Sequence, residues 1–116
     1  MLPRILVVDD DHYTRTLFKR LLGKSAELSL AADGAEARRL FAAGDFNLVL
    51  MDQRLPGENG IDLTREFRVQ RPKVVTILMT GFADVRDAVA AVREREDIDT
   101  QRPKQQDRNV RGDDDQ

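Results

Sequence analysis

Short, nearly unbroken apolar runs recur along the chain, alternating with stretches in which apolar residues return every three or four positions. ILVV (5–8), FNLVLM (46–51) and VVTILMT (74–80) are the strong runs, and ELSLA (27–31) is a weaker one. A strand buried on both faces requires such a run, whereas a half-buried strand would alternate polar and apolar residues. Between the runs, Leu17, Phe18, Leu21 and Leu22 share one helical stripe stopped by Gly23, and Ala37, Leu40 and Phe41 share another stopped by Gly44. Ile61, Leu63 and Phe67 mark a third helix over 60–70, and Val85, Ala88, Val89 and Val92 a fourth. Asp33-Gly34 after the second run reads as a turn. Strands separated by helices of about ten residues demand right-handed crossovers, so the predicted fold is α/β: an open, doubly wound parallel sheet covered on both faces.

In such sheets, ligands gather beyond the carboxyl ends of the strands. Asp9 and Asp10 follow the first run, Asp52 ends the third, and Thr80 ends the last. All four therefore fall on one sheet edge. Crowded carboxylates repel one another, and a hard divalent cation, best magnesium (Mg2+), is the simplest remedy. A phosphoryl group held at such a metal can be attacked by a carboxylate. Asp52 then reads as nucleophile, Asp9 and Asp10 as metal-holding acids, and Thr80 as a hydroxyl donor to a phosphoryl oxygen. Each residue also has a plainer reading. An acid or threonine after a strand caps helices and makes turns, and LPGENG (55–60) is itself a turn sequence, with Pro56 fixing φ and Gly57 and Gly60 relieving strain. The conjunction of an acidic pair, a lone acid and a hydroxyl at matching strand ends favours chemistry.

Composition narrows the choice. At 116 residues the chain is one small domain, and 19 basic against 21 acidic side chains give no basic face for direct nucleic-acid binding. There is no cysteine and one histidine, His12, so thiolate catalysis, disulfides and histidine-rich metal sites are excluded. His12 reads as an ordinary loop or first-turn residue. No apolar run approaches a membrane span and the N-terminus lacks a signal-peptide layout, so a cytoplasmic protein is expected.

ILVVDDD, LVLMDQRLPGENG and ILMTGFAD, in this order and at these separations, closely resemble the receiver domain of two-component response regulators over roughly residues 3–92. The resemblance implies a flavodoxin-like sheet and a Mg2+-dependent phosphoacceptor signalling domain rather than a turnover enzyme. A sensor histidine kinase would be the donor and an effector protein the reader. It implies Asp52 as phosphoacceptor and Thr80 as switch hydroxyl. The metal would be held by Asp10 directly, by Asp9 mainly through a water, by Asp52, and by the backbone carbonyl of Arg54. Asp11, next to the pair, receives no role from the resemblance.

The end of the chain departs from that pattern. REREDIDTQRPKQQDRNVRGDDDQ (93–116) holds only Ile98 and Val110 as large aliphatics, so neither a regular fifth strand nor a fifth helix is encoded. Arg102-Pro103 and Lys104 are the nearest echoes of the Lys-Pro that closes the family's fifth strand. The division expected is a receiver core over 1–92 and a polar extension over 93–116, disordered or exchanged in a homodimer. Two alternatives stay open: a degenerate receiver acting only through protein contacts, and a haloacid dehalogenase-type phosphatase using the Asp9-x-Asp11 pair.

Overall fold

A computed structural model describes residues 2–79 together with residues 89 and 90. Thr80, most of the fourth predicted helix and the polar end from residue 93 lie outside the described residues, and with them the expectations about a fifth strand, a fifth helix and exchange between protomers. The elements are β1 (Arg4–Val8), α1 (His12–Leu22), β2 (Glu27–Ala31), α2 (Gly34–Ala43), β3 (Leu48–Asp52), β4 (Arg54–Leu55), β5 (Glu58–Asn59), α3 (Gly60–Gln70) and β6 (Val75–Met79). Four strands form one sheet in the order β2-β1-β3-β6, every pair parallel, which is the predicted doubly wound, flavodoxin-like arrangement. The remaining two, β4 and β5, pair as a small antiparallel hairpin over Arg54–Asn59.

Two-sided burial explains the unbroken runs. Ile5, Leu6, Val7 and Val8 of β1 are all fully buried, as are Val49, Leu50 and Met51 of β3. Because strand side chains alternate faces, Ile5, Val7, Leu48 and Leu50 pack with Phe18 and Leu22 of α1. Leu6, Val8, Val49 and Met51 pack instead with Ala37 and Phe41 of α2 and Leu63 and Phe67 of α3. On that second side the rings of Phe41 and Phe67 stack 4.0 Å apart and nearly parallel.

Two sequence expectations need correction. Leu21, assigned to the buried stripe of α1, is 36% exposed; the buried row is Thr14, Phe18 and Leu22 at four-residue spacing, with Leu17 partly buried against the same core. Asp33-Gly34 is not a free-standing turn. Asp33 caps α2 by accepting from the Glu36 N–H at 2.8 Å, while the Glu36 carboxylate reaches back to the Ala32 N–H at 3.0 Å.

Candidate functional site

The parallel register brings the ends of β1 and β3 side by side: Val8 pairs with Met51, and each is followed by an aspartate. The Asp9 N–H donates to the Ala31 carbonyl at 3.0 Å, carrying the sheet pattern one residue past β1. Asp9 is buried. Its carboxylate accepts from the Asp11 N–H at 2.9 Å, and its carbonyl accepts from Arg15 Nη1 at 2.8 Å. Asp10 is exposed, and Asp52, the last residue of β3, is half-buried. The Asp52 carboxylate accepts from the Arg54 N–H at 3.1 Å. Behind it, the Gln53 N–H donates to Met79 and the Gln53 carbonyl accepts from the Gly60 N–H, tying the loop to β6 and to the start of α3. One carboxylate oxygen from each of Asp9, Asp10 and Asp52 lies within 4.8 Å of the others.

This crowding shows in the acidities. Burial pushes Asp9 from its ordinary 3.8 to about 6, with the charges of Asp52, Asp10 and Asp11 adding to the effect and the Asp11 N–H opposing it. Burial also raises Asp52, helped by the charge of Asp10 and opposed by the Arg54 N–H. Asp11 is held below the ordinary range by the hydroxyl and N–H of Thr14. The donor set fits a hard divalent cation, since all three groups are carboxylates and a dication relieves the repulsion that resists their joint ionisation.

A stability prediction follows. A carboxyl raised in the folded state keeps its proton there at a pH where the unfolded chain has lost it. Its stabilisation is therefore complete below pH 3.8 and is lost as pH rises through about 6. Asp9→Asn preserves an oxygen to accept the Asp11 N–H but cannot ionise. In chemical denaturation without metal, the variant should match the wild type near about pH 4 and exceed it by up to about 3 kcal/mol near about pH 7.5. Equal stability at both pH values would show that burial does not raise Asp9 in the folded chain.

Of the other residues considered from sequence, Asp11 has a clear structural role. It is the N-cap of α1, accepting from the Thr14 N–H at 3.0 Å and the Thr14 hydroxyl at 2.7 Å. An acid three residues before a threonine at the start of an apolar stripe is a capping signal that could have found it. The second acid of the phosphatase reading is thus engaged in the helix start, outside the three-carboxylate group. His12 is the first residue of α1 and exposed, in keeping with its ordinary reading. Arg15 had no local signal, because its partner is a backbone carbonyl on another element. Thr80 lies outside the described residues, and no helix among them is long and apolar enough to cross a membrane.

The profile of the family described as "Response regulator receiver domain" matches residues 5–107. PetR of Rhodobacter capsulatus is 36% identical over 88 residues, covering 75% of this chain and 37% of that protein. The transcriptional regulatory protein AruR of Pseudomonas aeruginosa is 42% identical, covering 79% of this chain and 40% of that one. The chain therefore spans about two fifths of the length of these curated relatives. Among solved structures, a CheY-like receiver domain protein from Methanospirillum hungatei superposes with a TM-score of 0.75 at 28% identity, covering 84% of this chain and 96% of that one. TrrA from Thermotoga maritima, solved in complex with Mg2+ and BeF, gives a TM-score of 0.63 at 30% identity, covering 78% and 81%.

Proposed function

Because this chain belongs to the response regulator receiver domain family of two-component systems, we propose that it accepts a phosphoryl group on Asp52 in a Mg2+-dependent reaction and signals by a conformational switch. One observation carries the reading: three carboxylates from the ends of two adjacent strands place oxygens within 4.8 Å of one another at the carboxyl edge of the sheet. The similarity to TrrA, whose structure contains Mg2+ and BeF, supports the choice of ion.

In this reading Asp9, Asp10, Asp52 and the Arg54 backbone carbonyl hold the metal. When bound, the ion supplies positive charge against the oxygens of the transferring phosphoryl group. Everything else falls to the chain itself. Asp52, half-exposed at the strand end, presents an oxygen to the phosphorus. A bond forms between them as the bond to the donor breaks, and the donor keeps the electron pair. With a histidine kinase as donor, the leaving group is an imidazole nitrogen, and the product is an acyl phosphate on Asp52. The Arg54 N–H orients the Asp52 carboxylate, and the Arg15–Asp9 contact fixes the start of α1 beside it. Thr80, next in sequence after Met79, which pairs with Asp52, is proposed as the hydroxyl that donates to the phosphoryl group and shifts the population of a nearby surface. The kinase that donates and the effector that reads the switch are proposed here as classes.

Incubation with acetyl phosphate and Mg2+, followed by intact-mass measurement, tests the function. One added phosphoryl group per chain is expected, removed by mild hydroxylamine treatment as an acyl phosphate should be and not formed when the metal is chelated. An unmodified mass in a folded protein, at saturating Mg2+, would favour the interaction-only reading instead.

A further inference from the structure

Arg38, on α2 and outside the acidic group, bridges two other elements. Its Nη1 and Nη2 donate to the two carboxylate oxygens of Glu58 on β5 at 3.2 and 2.8 Å, and its Nε and Nη2 donate to Glu66 on α3 at 2.8 and 3.1 Å. The Glu58 carboxylate lies directly over the start of α2, so close that a Cβ on Gly34 would overlap it. The clamped strand is no ordinary surface turn. β5 pairs with β4 through Arg54–Asn59 and Leu55–Glu58, and Arg54 is the residue whose N–H donates to the Asp52 carboxylate.

From this chain of contacts we propose that Arg38 is a positioning residue for the metal site: through Glu58 it holds the β4–β5 hairpin in the register that presents the Arg54 backbone to the acidic group. The inference rests on the Mg2+ reading above and adds a residue that the motif does not contain. A lone exposed ion pair would be too weak for this, since such pairs are worth little in water. Here one planar guanidinium makes two doubled, charge-assisted contacts, and these carry geometric specificity that single contacts lack. The hairpin has only two residues per strand, so it has little pairing of its own to hold its place.

Electrostatics separates positioning from a simple charge effect. Deleting a cation near an acidic group should by Coulomb's law tighten dication binding. Loss of positioning predicts the opposite sign. Calorimetric titration with Mg2+ should be run at a temperature at which circular dichroism shows each variant folded. Arg38→Ala is expected to bind about tenfold more weakly than wild type, the low end for losing support behind a metal ligand. Glu58→Ala should bind as weakly as Arg38→Ala, and the double variant no more weakly than either single one. Glu66→Gln breaks only the arm to α3 and should stay near wild type. Should Arg38→Ala fail to fold, Arg38→Met keeps the apolar stem and is read in the same way. Unchanged or tighter binding by the Arg38 variant, with normal binding by wild type, overturns the positioning role alone. A wild type that takes up no Mg2+ removes the metal reading and this inference together.

Discussion

Asp52→Asn is expected to abolish phosphoryl acceptance while leaving the fold intact and, without metal, more stable at neutral pH. An amide cannot replace the carboxylate as attacking group, because its nitrogen lone pair is delocalised and its oxygen carries no formal charge. The side-chain oxygen that remains can still accept the Arg54 N–H, so the loop after β3 keeps its anchor. What disappears is one of three crowded charges: in the wild type burial, helped by the charge of Asp10, makes Asp52 a weaker acid than an ordinary carboxyl. Reactivity and stability should therefore move in opposite directions. After incubation with acetyl phosphate and Mg2+, intact mass should show no phosphoryl adduct, and the urea midpoint at neutral pH should rise. An adduct at wild-type yield would place the acceptor elsewhere, and a lowered midpoint would mean that Asp52 supports the fold through contacts other than the one described.

The second large effect is steric. Gly60 opens α3, and its N–H donates to the Gln53 carbonyl at 2.8 Å. A Cβ there would run into the Asp52 carbonyl oxygen and stand 2.9 Å from its carbonyl carbon. Both obstacles are backbone, so no side-chain rotation relieves them; the end of β3 or the start of α3 must move. Gly60→Ala should cost about 3 kcal/mol in chemical denaturation, the upper part of the range for overpacking, and should weaken Mg2+ binding because Asp52 itself is displaced. Gly57 provides the control. It adopts a φ of +75° with nothing within 4 Å of an added Cβ, so Gly57→Ala carries only the conformational penalty of about 1–2 kcal/mol. A Gly60 variant no less stable than the Gly57 variant would remove the close approach from the account.

What the sequence revealed and what it concealed divide along a physical line. The runs at 5–8 and 48–51 were legible because burial on both faces leaves no room for a polar residue, and the strand ends followed from where those runs stop. The three acids were legible because they sit at those stops. The hairpin over Arg54–Asn59 was not, since two residues per strand leave no period to detect. Asp11, which receives no role from the family resemblance, caps α1; an acid beside two others invites chemistry first and local geometry second. Arg38 was invisible for a different reason. Its partners stand 20 and 28 positions away, and no local pattern encodes a contact that only the packing of α2 beside the hairpin and α3 creates.

The alternation within β3 has one more consequence. Leu48 and Leu50 face α1 while Val49 and Met51 face α2 and α3, and Asp52 continues the first series. Deleting or inserting a single residue inside this strand would exchange every inward neighbour and turn the acid toward the opposite layer of helices. The same change in the loop at 44–47 would leave that parity untouched. Over these five positions, chain length is constrained as tightly as residue identity.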